Sequence, residues 1–94
     1  MNERFAVYIL ASQRNGTLYI GVTGNLAVRM DQHRAKQGSA FTRRYGVTRL
    51  VYVEWFDDPG DAIVREKQLK GWNRAWKIKL IEASNPQWLE LPAD

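Results

Sequence analysis

Two short β-branched and aromatic segments, FAVYIL at 5–10 and TLYIGV at 17–22, flank the loop ASQRNG. Residues of this type favour strands, and Asn15-Gly16 is a turn signal, so the pair predicts an antiparallel hairpin. In a chain of 94 residues the hairpin is a large share of any core that can form, and the remaining residues must cover it. A chain this short is expected to fold as one domain over residues 1–94. Its four Trp, four Tyr and three Phe are expected to supply much of the packing.

The rest of the chain reads as one further strand and three helices. Asn25 is a good N-cap for a helix over about 26–37, which Gly38 ends. Residues 39–48, SAFTRRYGVT, form a basic and aromatic connector, and RLVYVEWF at 49–56 is a third strand. Asp58 caps a second helix with Pro59 at its first position, running to about Lys70. Gly71 allows a bend before a third helix over roughly 73–83. The tail at 84–94 holds Trp88 and Leu91, which are expected to pack on the body. The predicted class is α+β, an α/β sandwich. In it a three-stranded, mainly antiparallel sheet is flanked by helices in the order β-β-α-β-α-α.

Fourteen Lys and Arg against ten acidic residues leave a net charge of +4, a field that favours polyanionic partners such as nucleic acid. The absence of cysteine excludes a disulfide scaffold and any thiolate metal site. Arg4 and Gln13 bracket the first apolar run at strand length, too short for a signal peptide or membrane span. A cytoplasmic protein without membrane association is expected.

Strand side chains alternate faces, so Tyr8 shares a face with Ala6 and Leu10, and Tyr19 shares one with Thr17 and Gly21. Any antiparallel register with an odd residue sum places both tyrosines on the same side of the sheet. A two-residue Asn15-Gly16 turn offsets them by four residues, about 13 Å along the strand. A wider loop over 11–16 sets them directly across from each other, where both phenols reach one small group. Gly21 leaves a notch on that face where a ligand can approach. Two packed tyrosines are the plainer reading. A tyrosine base would need neighbouring positive charge or a metal, because free phenols ionise near pH 10.

In the first helix Leu26 and Met30 make an apolar stripe, with Arg29 and His33, the only histidine, in a polar stripe beside it. Either this is a solvated face, or it is a guanidinium aimed at a phosphate with an imidazole near the reacting oxygen. In the second helix Ala62, Ile63 and Leu69 set an apolar arc that contains Glu66, with Lys70 near its rim. A carboxylate there must be paired, for instance with an arginine, or ligate a Mg2+ that keeps most of its waters.

AVY at 6–8, YIG at 19–21, TGNLAVRMDQH at 23–33 and AIVREKQLKGW at 62–72 together resemble the GIY-YIG nuclease superfamily. FTRRYG, RLVYVEWF and NPQWLEL extend the likeness to its small stand-alone bacterial members, over nearly the whole chain. The resemblance implies an endonuclease that hydrolyses DNA phosphodiesters with one Mg2+ or Mn2+ ion, in repair or recombination. By the same likeness Tyr19 is the general base on the attacking water, and Tyr8 orients water or phosphate. Arg29 holds the scissile phosphate, His33 stands close to the nucleophile, and Glu66 anchors the metal. Ala6 replaces the first glycine of the family pattern. Val22 stands where some relatives carry a lysine, leaving Lys70 as a candidate for that help. Asn73 and Asn85 compete for the place of a late asparagine of larger relatives, and that role is left unassigned.

Arg43, Arg44 and Tyr45 suit a loop that grips a nucleic-acid backbone and stacks one base, and Lys70 is a further candidate contact. Lys67, Arg74, Lys77 and Lys79 add positive surface. Nothing resembles a base-reading element, so salt-sensitive binding of single-stranded, duplex or branched DNA without strong sequence specificity is expected. The competing reading is a non-catalytic nucleic-acid-binding module on the same scaffold.

Overall fold

The computed structural model describes residues 4–35 and 40–93. Strands β1 (Phe5–Ala11) and β2 (Leu18–Thr23) form the hairpin, and helix α1 (Leu26–Arg34) follows. A short helix α2 (Ala40–Tyr45) leads into strand β3 (Arg49–Phe56). Helices α3 (Pro59–Gly71) and α4 (Arg74–Ser84) complete the body. The sheet is antiparallel throughout, in the order β2-β1-β3. The α+β class holds, with one addition: part of the basic connector is the helix α2. The expected end of the first helix at Gly38 lies outside the described residues.

Local chemistry sets the helix starts. The Asn25 side chain accepts from Val28 N, Asp58 from Asp61 N ahead of Pro59, and Asn73 from Trp76 N. Each satisfies a backbone donor that the first helical turn leaves without an intrahelical partner.

Central strand β1 is buried on both faces. One face carries Val7, Ile9 and Ala11, packed with Ile20, Val51, Ala62, Leu69, Ile81 and Trp88 beneath α3, α4 and the tail. The other carries Ala6, Tyr8 and Leu10, packed with Leu26, Met30, Val47 and Leu50. In β3, Ile9 pairs with Tyr52 but Leu10 with Leu50, so Val51 is an inserted residue. Such a bulge lets neighbouring side chains face the same way, and both Val51 and Tyr52 pack with the α3/α4 side.

Past α4 the chain turns through Trp88, which has φ 57° and is fully buried. Leu91 N donates to Leu50 O at 2.8 Å, and Leu91 packs with the Tyr8 side of the sheet. The tail therefore wraps the β3 edge from one face to the other.

Candidate active site

The observed hairpin register lies between the two expected alternatives. Tyr8 pairs with Gly21, and Tyr19 with Leu10. The residue sum is 29, which is odd, so the tyrosines do share a face, offset by two residues. Their ring centroids are 6.4 Å apart. Between the tight and the wide loop, the chain closes with Ser12 N donating to Thr17 O and Gly16 N to Gln13 O. The Gly21 notch is filled by the protein itself. A Cβ there would stand 2.5 Å from Tyr8 Cζ, so the missing side chain admits the Tyr8 phenol and not a ligand.

The histidine expected in a polar stripe is buried. His33 Nε2 lies 3.1 Å from Tyr8 Oη, and Nδ1 lies 3.2 Å from Thr42 Oγ1. The helical spacing predicts its alignment with Arg29 correctly. Only the covering helix α2, absent from the sequence reading, explains why one of the pair is enclosed. Tyr19 completes the cluster, with its ring centroid 5.6 Å from His33 and 6.2 Å from Phe41, the latter nearly parallel. Phe41 in turn meets Tyr45 at 4.9 Å.

Burial pushes the Tyr8 phenol well above the usual phenolic range. The neighbouring Tyr19 and Glu66 push the same way, against the opposing charge of Arg29. Burial also lowers the pKa of His33, and Arg29 adds to the effect. Tyr8 thus stays protonated and His33 neutral at pH 7. Arg29 is half-buried and makes no ion pair among the described residues.

Glu66 enters from α3. Its side chain is only 13% exposed, and its Oε2 lies 2.9 Å from Lys70 Nζ. The partner is a lysine one helical turn on, where sequence reasoning suggests an arginine. Ile63, expected within the apolar arc, is exposed; the inward arc is Ala62 and Leu69 flanked by half-buried Arg65 and Glu66. Lys70 and Lys77 line a groove of about 290 Å3 with Leu18, Tyr19, Ile20 and Phe41. The cluster opens to solvent along the outer edge of β2.

Two phenols and a neutral imidazole thus meet beside β2, with the Arg29 guanidinium and the Glu66 carboxylate within electrostatic reach of Tyr8. The profile of the GIY-YIG catalytic domain matches residues 4–79, spanning every one of these side chains. The chain belongs to the GIY-YIG family. It is similar to a UPF0213 protein of Oceanobacillus iheyensis, at 38% identity over 87% of this chain and 94% of that one. A UPF0213 protein of Staphylococcus haemolyticus is 37% identical over 81% and 92%. The solution NMR structure of the UPF0213 protein BH0048 of Bacillus halodurans superposes with a TM-score of 0.55. It is 29% identical, with 87% of this chain and 86% of that chain covered.

GIY-YIG nucleases as a class act on nucleic acid and typically use a divalent metal. Among the described residues no group of three His, Asp or Glu side chains could enclose an ion. The donor set still fits one hard cation that keeps most of its waters. Glu66 Oε1 has no hydrogen-bond partner among the described residues. The Lys70 side chain on Oε2 is 53% exposed, with room to swing away.

Three further residues of the sequence reading have structural partners. Arg74, counted as positive surface, donates through Nη2 to Asn15 O and Gly16 O at 2.6 Å each and so ties α4 to the hairpin turn. Asn73 caps α4, while buried Asn85 donates to Val51 O and Leu89 O, so both asparagines have structural work. Arg43, Arg44 and Tyr45 are exposed on α2, with Arg44 Cζ 5.5 Å from the Tyr45 ring. The sequence reading missed Thr42 and Phe41. The i, i+4 spacing of Phe41 and Tyr45 is the available signal for the helix that carries them.

Proposed function

We propose that this protein is a divalent-metal-dependent endonuclease that hydrolyses DNA phosphodiesters without strong sequence specificity, in repair or recombination. The convergence of Tyr8, Tyr19, Arg29, His33 and Glu66 at one edge of the sheet carries this reading.

Tyr19, half-buried and lining the open groove beside Lys70 and Lys77, takes the proton of the attacking water in its phenolate form. Tyr8 is held protonated by burial and donates its hydroxyl proton, orienting water or phosphate. Arg29 has no ion-pair partner among the described residues, so its guanidinium is available to hold the scissile phosphate as negative charge grows. His33 stays neutral and fixes the Tyr8 hydroxyl through Nε2. Glu66 would hold the metal, whose chemistry is Lewis-acid stabilisation of the departing 3′ oxygen. Arg43, Arg44, Tyr45 and Lys70 grip the strand around the site.

The Glu66–Lys70 ion pair favours the alternative of a non-catalytic nucleic-acid-binding module, because it already neutralises the carboxylate. Cleavage of labelled single-stranded, duplex and branched DNA with Mg2+ and then Mn2+ separates the two readings. Wild type is expected to cut, with losses of about 10²-fold or more in Glu66→Ala and Tyr19→Phe at unchanged folding. Binding without cleavage establishes the alternative, and activity surviving in both variants overturns the site.

A further inference from the structure

A second groove, of about 350 Å3, is lined by Trp72, Trp76, Lys79 and Leu80. The two indoles stand at 89° with centroids 5.8 Å apart, forming two walls of a corner. Arg65 covers the Trp72 ring at 5.2 Å and is itself held by Glu54. Trp76 is different. It is 56% exposed, and its one aromatic contact among the described residues is Trp72. With Trp72 and Leu80 it makes a contiguous apolar corner instead of an isolated surface ring.

Charge and position indicate the occupant. Lys79 lines the corner, while Lys77, one residue from Trp76, lines the groove that contains Tyr19 and Lys70. Consecutive helical residues point about 100° apart, so the two grooves occupy neighbouring faces of α4. A flat ring face beside a cation, next to a second basic groove, complements a polyanion with planar bases.

We propose that the Trp72/Trp76 corner captures an unpaired nucleobase of a DNA strand that leaves the Tyr19 groove past Lys77, with Lys79 lining the corner itself. This rests on the DNA reading above and narrows it to substrates with single-stranded segments, because a paired base presents no free face. Stacking selects for an available base and not for its identity.

The test is binding alone, measured with chelator present so that no cleavage occurs. Fluorescence anisotropy of labelled oligo(dT) and of a blunt duplex is compared for wild type, Trp76→Ala, Trp76→Phe and Lys79→Ala, with folding checked by circular dichroism. Trp76→Ala is expected to weaken oligo(dT) binding about ten-fold and duplex binding less than about two-fold. Trp76→Phe should keep most of the affinity. Lys79→Ala should weaken oligo(dT) and reduce the salt dependence. Equal losses on both DNAs, no loss in Trp76→Ala, or a wild type that does not bind oligo(dT) overturns the proposal. So does a wild-type dimer in light scattering that Trp76→Ala dissociates, because a second copy then fills the corner. An inactive enzyme that still shows the oligo(dT) selectivity would refute the nuclease reading and leave this site standing.

Discussion

His33 is enclosed between two hydroxyl groups, and both ring nitrogens are used. A neutral imidazole offers one donor and one acceptor, which two hydroxyls satisfy in either tautomer. Its pKa is lowered by burial and then by Arg29, so below pH 6.5 the unfolded chain takes up a proton that the folded chain resists. Stability is therefore fully present above pH 6.5 and falls as pH drops from there through the lower folded pKa. Because His33 is the only histidine, urea unfolding at pH 7.5, 6.5 and 5.5 reads this directly, and the imidazole proton resonances should titrate below pH 6.5. Gly21 has an equally narrow requirement, set by the Tyr8 ring opposite it. Gly21→Ala is expected to cost about 1–3 kcal/mol of unfolding free energy, because neither the buried ring nor the paired strand has room to shift.

Helix α2 is the element on which the site closes. In six residues it places Phe41 against Tyr19, Thr42 against His33, and Arg43 and Arg44 towards solvent. Thr42→Val removes the hydroxyl from a buried Nδ1, and the expected loss is about 1–3 kcal/mol in denaturant unfolding. Thr42→Ser should restore most of it. If the nuclease reading holds, Thr42→Val should also lower kcat with little change in KM, since Tyr8 loses its oriented imidazole. The sequence shows this stretch as basic and aromatic, which is correct, but a six-residue helix has too little periodicity to declare itself. The longer helices do declare themselves. Asn25 and Asp58 are read as caps from their type, and each accepts the backbone N–H expected of it; Asn73, read as the first residue of the third helix, caps it instead.

At the scale of the molecule, the tail closes the structure. Asn85 is bonded to Val51 O, Leu89 O and Leu89 N, and Trp88 donates through Nε1 to Glu82 at 2.8 Å. These contacts hold a residue whose φ of 57° is unfavourable for any side chain but glycine. Trp88→Ala is expected to destabilise by about 3–5 kcal/mol, read as a drop in Tm of more than about 10 °C. It empties the core beneath α4 and releases the strap over the edge strand β3.

Strand identity and the starts of helices α1 and α3 were determined by the sequence alone. Each follows from a short-range rule: alternation with period two, or a capping side chain. The order of the motif residues was equally legible, and it placed the chain in its family. Other features depended on atoms distant in sequence. The register that gives Gly21 to Tyr8 is set by how the 12–17 loop closes. The burial of His33 is set by α2, and the partial burial of Glu66 by which arc of α3 meets the sheet. Only the assembled sheet and its covering helices could decide these, because each is a competition between contacts that the linear chain does not bring together.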